Sequence, residues 1–347
     1  MKITILNTQA LFVRGGAEHL ADGLKPILER YGHQVEIVRI PFKWYPEETI
    51  IKHVLGARMF KIQAGEPDLV IALKFPTYYV PFENKKLWML HQFRQVYDFW
   101  GTPFQGVPDT PEGYRIRQMI TNADNLYLPE AKAIYTNSKI VARRLKQFNN
   151  IDADAVLYPP VPNPEVFHTG PYGDYFFYPS RINETKRQYL IIQAMRYVKS
   201  PFKLILAGKP DSDAYGSQID ALIEREGVRD RVQLLGFISE EEKASVMANS
   251  LGVIYIPYDE DSYGYVTLEA FHSHKPVITC NDSGGTDEIM EHGRNGFISE
   301  PTPQALAEWM EAMWADRNKT REMGEEGWGT IDRYNIRWDY IVENLTR

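Results

Sequence analysis

Leu251–Ile298, LGVIYIPYDEDSYGYVTLEAFHSHKPVITCNDSGGTDEIMEHGRNGFI, is the stretch whose reading decides the fold. Leu251 to Ile256 is a short apolar run rich in β-branched and aromatic residues, the pattern of a strand buried on both faces in a parallel sheet. A loop follows, carrying Asp259, Glu260, Asp261 and then Ser262-Tyr263-Gly264. From Tyr265 the period turns helical, so that Val266 and Ala270 share a face and Glu269 lies beside it. A second strand, Pro276 to Thr279, runs into the loop Asn281 to Thr286 with its two adjacent glycines. Two strand-to-helix junctions thus stand close together in sequence. Open α/β sheets bind ligands at such junctions, and the free N–H groups of a helix start attract phosphate.

Working outward, the same rhythm continues. Upstream, Lys2–Asn7, Val35–Ile40, Asp68–Leu73, Leu87–Leu90 and Ala133–Thr136 read as strands, and Leu20, Leu24, Ile27 and Leu28 form one helical face after Gly15-Gly16. Glu47–Ile62 has helical period, with Ile51, Val54, Leu55, Met59 and Ile62 as its core stripe. Ser138 is placed to cap a helix over 139–148. Prolines at 159, 160, 162 and 164 make a stiff linker. Beyond it, strands at Tyr175–Tyr178, Lys203–Leu206 and Val232–Leu234 alternate with helices, Ser239-Glu-Glu-Glu242 reads as a capping box, and helices over 304–314 and 335–345 close the sequence.

Composition bounds the answer. At 347 residues, 44% hydrophobic and 24% charged, the chain reads as a globular protein of two domains. No run approaches the roughly 18 apolar residues of a membrane helix, and the N-terminus reads as a strand, not a signal peptide. The single cysteine, Cys280, is expected to be a packed residue and suits a reducing cytoplasm. The net charge of −7 is unevenly spread: residues 1–160 hold 20 Lys and Arg against 16 Asp and Glu, a net +4, and the remainder holds 19 against 30, a net −11. The basic half suits an anionic membrane surface or a phosphate-linked acceptor, or is ordinary surface variation. No nucleic-acid partner is expected, and neither a dinucleotide-binding Gly-x-Gly-x-x-Gly nor a phosphate-binding P-loop occurs.

The acid at 261, the aromatic-glycine pair, and Glu269-Ala270, with seven residues between the two acids, are followed by Lys275-Pro-Val277 and Gly284-Gly285. Together with Ser180-Arg181, Lys186 and Gly15-Gly16-Ala17-Glu18, this pattern resembles the retaining GT-B glycosyltransferases of family 4. The resemblance implies an α/β fold of two Rossmann-like doubly wound domains facing a cleft: an acceptor-binding domain over 1–163, rejoined by a helix over about 331–347, and a nucleotide-sugar domain over 164–330. It implies that Gly15, Gly16, Ser180, Arg181, Lys186, Gly208, Asp261, Tyr263, Gly264, Tyr265, Val266 and Glu269 meet the donor. Glu269 is expected on the ribose hydroxyls, and Arg181 and Lys186 on the diphosphate. Asp261 replaces the family's usual Glu, one methylene shorter; Glu260 beside it offers a register-shifted substitute.

In the aromatic region 41–111, His91, Arg94, Tyr97 and Asp98 follow a strand end with groups suited to sugar hydroxyls, and they are the expected acceptor-side residues. His91 matches a family position near the reacting carbon. Asp211-Ser-Asp213 and Asp259-Glu-Asp261 keep a metal-dependent alternative open, although Arg181 and Lys186 make a metal redundant. The resemblance implies no cofactor and no metal, only a nucleotide-sugar donor and a glycan or lipid-linked acceptor in the cytoplasm, with peripheral membrane contact as an open expectation. A sugar phosphorylase, a nucleotide-sugar epimerase and a non-catalytic nucleotide-sugar binder on the same scaffold stand as alternatives.

Overall fold

The computed structural model describes residues 1–12, 15–61, 66–260 and 263–347. They divide into two compact units, the first formed by Met1–Pro162 with Arg337–Arg347 and the second by Asn163–Ile336.

Unit 1 is built on six parallel strands: β1 (Lys2–Gln9), β2 (Gln34–Pro41), β3 (Leu69–Ala72), β4 (Lys85–Met89), β5 (Ala133–Thr136) and β6 (Ala155–Val156), in the order β2-β1-β3-β4-β5-β6. Ile5 lies opposite Ile37 of β2 and Ile71 of β3. Because side chains alternate across a strand, each run feeds two cores. Ile3, Ile5, Leu69, Ile71 and Trp88 pack on one face, and Leu6, Val70, Ala72, Leu87 and Met89 on the other. Helices α1 (Gly16–Arg30), α2 (Glu48–Met59), α3 (Pro111–Tyr127) and α4 (Lys139–Asn149) cover these faces. In α1, Leu20, Leu24, Ile27 and Leu28 are buried as expected, and the Ser138 hydroxyl caps α4 by accepting from the Val141 N–H at 3.2 Å.

The apolar stripe of α2 departs from expectation. Its core face is Ile50, Val54 and Ala57, whereas Leu55 and Met59 stand 57% and 79% exposed; Ile62 lies outside the described residues. The two faces share Val54 and differ by about one residue's rotation, 100°, which an apolar segment leaves undetermined.

Unit 2 repeats the plan with β7 (Tyr175–Pro179), β8 (Lys203–Ala207), β9 (Val232–Leu234), β10 (Gly252–Ile254), β11 (Val277–Cys280) and β12 (Gly296–Ser299), all parallel, in the order β12-β11-β10-β7-β8-β9. Its helices are α5 (Gln188–Ala194), α6 (Asp213–Glu226), α7 (Glu240–Ala248), α8 (Tyr265–His272), α9 (Pro303–Ala315) and α10 (Arg317–Arg333). The sequence reading did not single out β12 or α10. The capping box at α7 is present: Glu242 N–H donates to Ser239 Oγ at 3.1 Å and Ser239 N–H to Glu242 Oε2 at 2.8 Å.

The last helix, α11 (Trp338–Thr346), belongs to unit 1. It buries Ile341, Val342 and Leu345 in the core that holds Ile3, Leu20 and Trp88. Lys86 Nζ donates to the backbone oxygens of Asn344 (3.2 Å) and Arg347 (2.5 Å), and the Tyr135 hydroxyl donates to that of Asn344 (2.9 Å).

In each sheet the first strand is an interior one and the chain builds to one side of it, then the other. The direction switches between β1 and β3 in unit 1 and between β7 and β10 in unit 2. Crevices at the carboxyl ends of such strand pairs are where doubly wound sheets bind ligands.

Candidate functional site

At the unit 2 switch point, the loop after β7 carries Ser180, Arg181 and Lys186. Ser180 N–H donates to the Ala207 carbonyl at 2.8 Å, and a Cβ on Gly208, whose φ is +154°, would fall 1.8 Å from the Ser180 carbonyl oxygen. Glycine is therefore demanded at 208 by backbone approach between the two strand ends. Arg181 is exposed, its Nη1 3.6 Å from Asp211 Oδ1, and Asp211 also accepts from the Asn183 amide at 2.9 Å. Lys186 lies deeper: its ammonium donates to the Tyr255 hydroxyl at 3.0 Å and pairs with the Glu260 carboxylate.

Across the switch point, Gly264 precedes α8 with φ +69°, and a Cβ there would lie 2.2 Å from the Tyr255 ring. Tyr263 is buried, and Tyr265 and Val266 are half-buried at the helix start. One turn on, Glu269 is buried in α8. Its Oε1 accepts from Lys243 Nζ at 2.8 Å, while Oε2 finds no hydrogen-bond partner among the described residues. Burial raises the carboxyl's pKa and Lys243 opposes the rise. Burial alone would lower the Lys243 ammonium; the charges of Glu269 and of Glu240, 2.9 Å away, more than reverse this and hold it above its ordinary value. An unpaired oxygen on a buried carboxylate is costly, and it is suited to a ligand that donates hydroxyl hydrogens. Asp261 falls outside the described residues. Glu260, its neighbour, is committed to Lys186.

Sequence reasoning missed two residues here. Arg187, directly after Lys186, has φ +53°, a region few non-glycine residues enter. Its buried guanidinium donates to both oxygens of Asp282 at 2.7 Å and to the carbonyls of Ile256 and Pro257 at 2.8 Å. It thereby ties the loop after β7 to those after β10 and β11. Lys243 is the other; its signal was a cation one helical turn beyond the capping Ser239, with nothing in the sequence to connect it to Glu269.

Lys275, which belongs to the Lys-Pro-Val motif, is fully buried and donates to the carbonyls of Gly170 and Pro171 at 3.1 Å. Burial, aided by Arg321, lowers its pKa to about 7. Cys280 is buried, as expected of a packed residue.

At the unit 1 switch point, β1 and β3 lead into a cavity of about 230 Å3 whose wall includes Thr8, Glu18, Lys74 and His91. Gly15 caps α1 and donates its N–H to Glu18 Oε2 at 2.8 Å; Glu18 Oε1 accepts from Lys74 Nζ at 2.8 Å. Gly16 opens the helix. Of the four residues expected on the acceptor side, His91 lines this cavity. Arg94 and Asp98 pair with each other, Nε to Oδ2 2.6 Å, and Asp98 also meets Arg144 at 3.3 Å. Tyr97 is a correction: it is 4% exposed, and its hydroxyl donates to the buried Asp124 at 2.6 Å. A ring amid core residues, with its one polar atom bonded inside, is a structural group. Burial pushes Asp124 up to about 6 against the lowering effect of Tyr79 and Tyr97.

Residues 170–328 match the family described as Glycosyl transferases group 1. Unit 2 is a group 1 glycosyl transferase domain. Alpha-1,3/1,6-mannosyltransferase ALG2 of Homo sapiens is 30% identical over 129 residues, 36% of this chain and 30% of its own length. D-rhamnosyltransferase WbpZ of Pseudomonas aeruginosa is 25% identical over 152 residues, 43% of this chain and 38% of its own. The chain thus spans well under half the length of these curated relatives. Among solved structures, sucrose-phosphate synthase from Thermosynechococcus elongatus is similar with a TM-score of 0.79 at 19% identity, over 99% of this chain and 97% of that one. Anabaena HepE in complex with UDP and glucose gives 0.71 at 21%, over 100% and 99%. These likenesses establish the GT-B fold for the chain that carries this group 1 domain.

Proposed function

We propose that the protein is a retaining glycosyltransferase of family 4, moving a sugar from a UDP- or GDP-sugar to a glycan or lipid-linked acceptor without a metal. The observation that carries the reading is the unpaired Oε2 of buried Glu269. It stands on the helix that opens at the β7/β10 switch point, where Arg181 and Lys186 also lie. A nucleoside diphosphate satisfies all three at once: ribose hydroxyls donate to Glu269, and the phosphates meet the cations and the α8 N–H groups.

In the reaction the bond from the sugar's anomeric carbon to the diphosphate oxygen breaks as the acceptor oxygen bonds to that carbon from the same face. The leaving diphosphate takes the acceptor's proton. Negative charge grows on the diphosphate, and Arg181, Lys186 and the helix start are fixed in advance to stabilise it. Unit 1 receives the acceptor, with His91 on the wall of its switch-point cavity.

Among the described residues no helix is long and apolar enough to cross a membrane. A peripheral membrane contact is supported by the excess of basic residues in the first half and by the exposed Leu55 and Met59 of α2.

The test is product analysis after incubation with a panel of UDP- and GDP-sugars, with and without saccharide acceptors. Sugar transfer to an acceptor supports the reading. Release of sugar 1-phosphate in the presence of phosphate identifies a phosphorylase, an epimerised nucleotide sugar identifies an epimerase, and binding without turnover identifies a regulator; each of these overturns it.

A further inference from the structure

Lys186 stands where the loops after β7, β10 and β11 meet. Its N–H donates to Asn183 Oδ1 at 2.9 Å, its carbonyl accepts from the Tyr178 hydroxyl, and its ammonium meets the Tyr255 hydroxyl and the Glu260 carboxylate. The loops are joined to one another by backbone bonds. Tyr258 N–H donates to the Thr185 carbonyl at 2.7 Å, Asp259 N–H to that of Asp282 at 3.0 Å, Glu260 N–H to that of Ser283 at 3.1 Å, and Gly285 N–H to that of Glu260 at 2.8 Å. The position of the ammonium is therefore set by how three irregular segments sit against each other.

Arg187 is the side chain that reaches all of them. Its backbone lies at φ +53°, a conformation that glycine enters freely and a residue with a Cβ does not. Such a residue persists where its surroundings over-determine it, and here the guanidinium does so. Nε donates to the Ile256 carbonyl and Nη2 to that of Pro257, both at 2.8 Å; Nη1 and Nη2 take the two oxygens of Asp282 at 2.7 Å, and Nη2 lies 3.3 Å from the Ser283 hydroxyl. Only a planar fork of donors spans two carbonyls and a carboxylate at once.

This cation is not placed to meet a ligand itself. Its side chain is 6% exposed and its charge is matched by Asp282. A phosphate that drew it away would leave buried acceptors unpaired, a strongly unfavourable exchange. Any effect on an anionic ligand must pass through its neighbour in the chain, and that neighbour is Lys186.

We propose that Arg187 is a positioning residue for Lys186: by clamping the loop after β7 to Ile256, Pro257 and Asp282, it fixes the Lys186 ammonium in place before a diphosphate arrives. The inference rests on the transferase reading for the diphosphate. A cation held in advance loses no freedom on binding, whereas one on an unclamped loop must be ordered at the ligand's expense.

The test is a double-mutant cycle on the full chain, with UDP and GDP affinities measured by calorimetry for wild type, Arg187→Gly, Lys186→Ala and the double variant. Glycine keeps the positive φ and removes only the clamp, and circular dichroism checks that each variant is folded. Arg187→Gly should weaken the better-bound diphosphate at least about fivefold, and in the Lys186→Ala background the same change should cost less than about twofold, because the group it positions is gone. A general loosening of the site would cost the same in both backgrounds. Should Arg187→Gly fail to fold, Asp282→Asn, which leaves the guanidinium one acceptor, takes its place in the cycle with the same expectation. Equal losses in the two backgrounds, an affinity within twofold of wild type when the clamp is removed, or wild-type binding that Lys186→Ala leaves unchanged would overturn the proposal while leaving the transferase reading in place. Absence of UDP and GDP binding in the wild type would overturn that reading and this assignment with it.

Discussion

Lys243 Nζ sits 2.8 Å from Glu269 Oε1 and occupies one oxygen of a carboxylate whose other oxygen is unpaired. Burial raises the carboxyl's pKa, and the cation opposes that rise and so favours the ionised form. The ionised form is the better acceptor for ribose hydroxyls, so on the transferase reading Lys243 is expected to strengthen donor binding although it lies on a different helix.

Removing that cation should therefore change a pH profile. In Lys243→Met, Glu269 loses the charge that opposes burial, so its pKa moves further up. Nucleoside diphosphate affinity should then begin to fall at a higher pH on acidification than in wild type. Affinity titrations with UDP and GDP across the acid range would check this; superimposable profiles would separate Lys243 from Glu269 function.

The two cations of the β7 loop should differ in weight. Each charge-assisted phosphate bond is worth about 1.5–3 kcal/mol, so Lys186→Ala should weaken nucleoside diphosphate binding more than tenfold. Arg181 is more exposed, and Arg181→Ala should cost less, because solvent already screens its charge. Calorimetry on both variants gives the order directly, and equal affinity in wild type and Lys186→Ala would remove the phosphate assignment.

Transfer should yield an α-linked product from an α-linked donor and survive excess chelator. NMR coupling constants of the product give the linkage. A β-linked product, or turnover abolished by chelator and restored by magnesium, would demand a different mechanism.

Asp282 and Arg187 give an asymmetric pair of stability changes. Asp282→Ala leaves a buried guanidinium without its carboxylate, a loss of about 3–5 kcal/mol when such a pair is broken. Arg187→Gly removes the charge and relieves the positive φ together, so it should cost distinctly less. Urea unfolding of the two variants measures the difference; a larger loss in Arg187→Gly would mean that the backbone contacts, not the charge, hold the loops.

Lys275 should give unit 2 a stability that rises with pH. Its pKa is about 7 in the folded protein against 10.5 ordinarily. Between those values the unfolded chain binds the proton and the folded chain does not, so unfolding takes up protons and stability climbs as pH rises. The group is most destabilising below pH 7. Lys275→Met should flatten the slope between pH 7 and 10, read from urea midpoints; an unchanged slope would place the titration elsewhere.

The strands were legible because parallel sheets bury both faces, and runs such as LVIA in β3 and GVI in β10 have no polar interruption. The orientation of α2 was not legible. Ile50, Ile51, Val54, Leu55, Ala57 and Met59 supply apolar residues on more than one face, and only packing against the sheet selects one. Arg181, Lys186 and Glu269 were visible as types at spacings. Arg187 and Lys243 were not, since each acts through a partner distant in sequence, Asp282 or Glu269. Tyr97 was misplaced for a related reason: an aromatic residue after a strand reads the same whether its hydroxyl meets a sugar or a buried Asp124.

The return of α11 to unit 1 sets an order of events during synthesis. Ile341, Val342 and Leu345 complete a core begun by Ile3 and Ile5, so the ribosome must make all of unit 2 before the first unit has its last wall. Until then the part of this sheet face that α1 does not cover stays open and apolar in a nascent chain, the kind of surface chaperones cover. Unit 2, contiguous from Asn163 to Ile336, has no such wait.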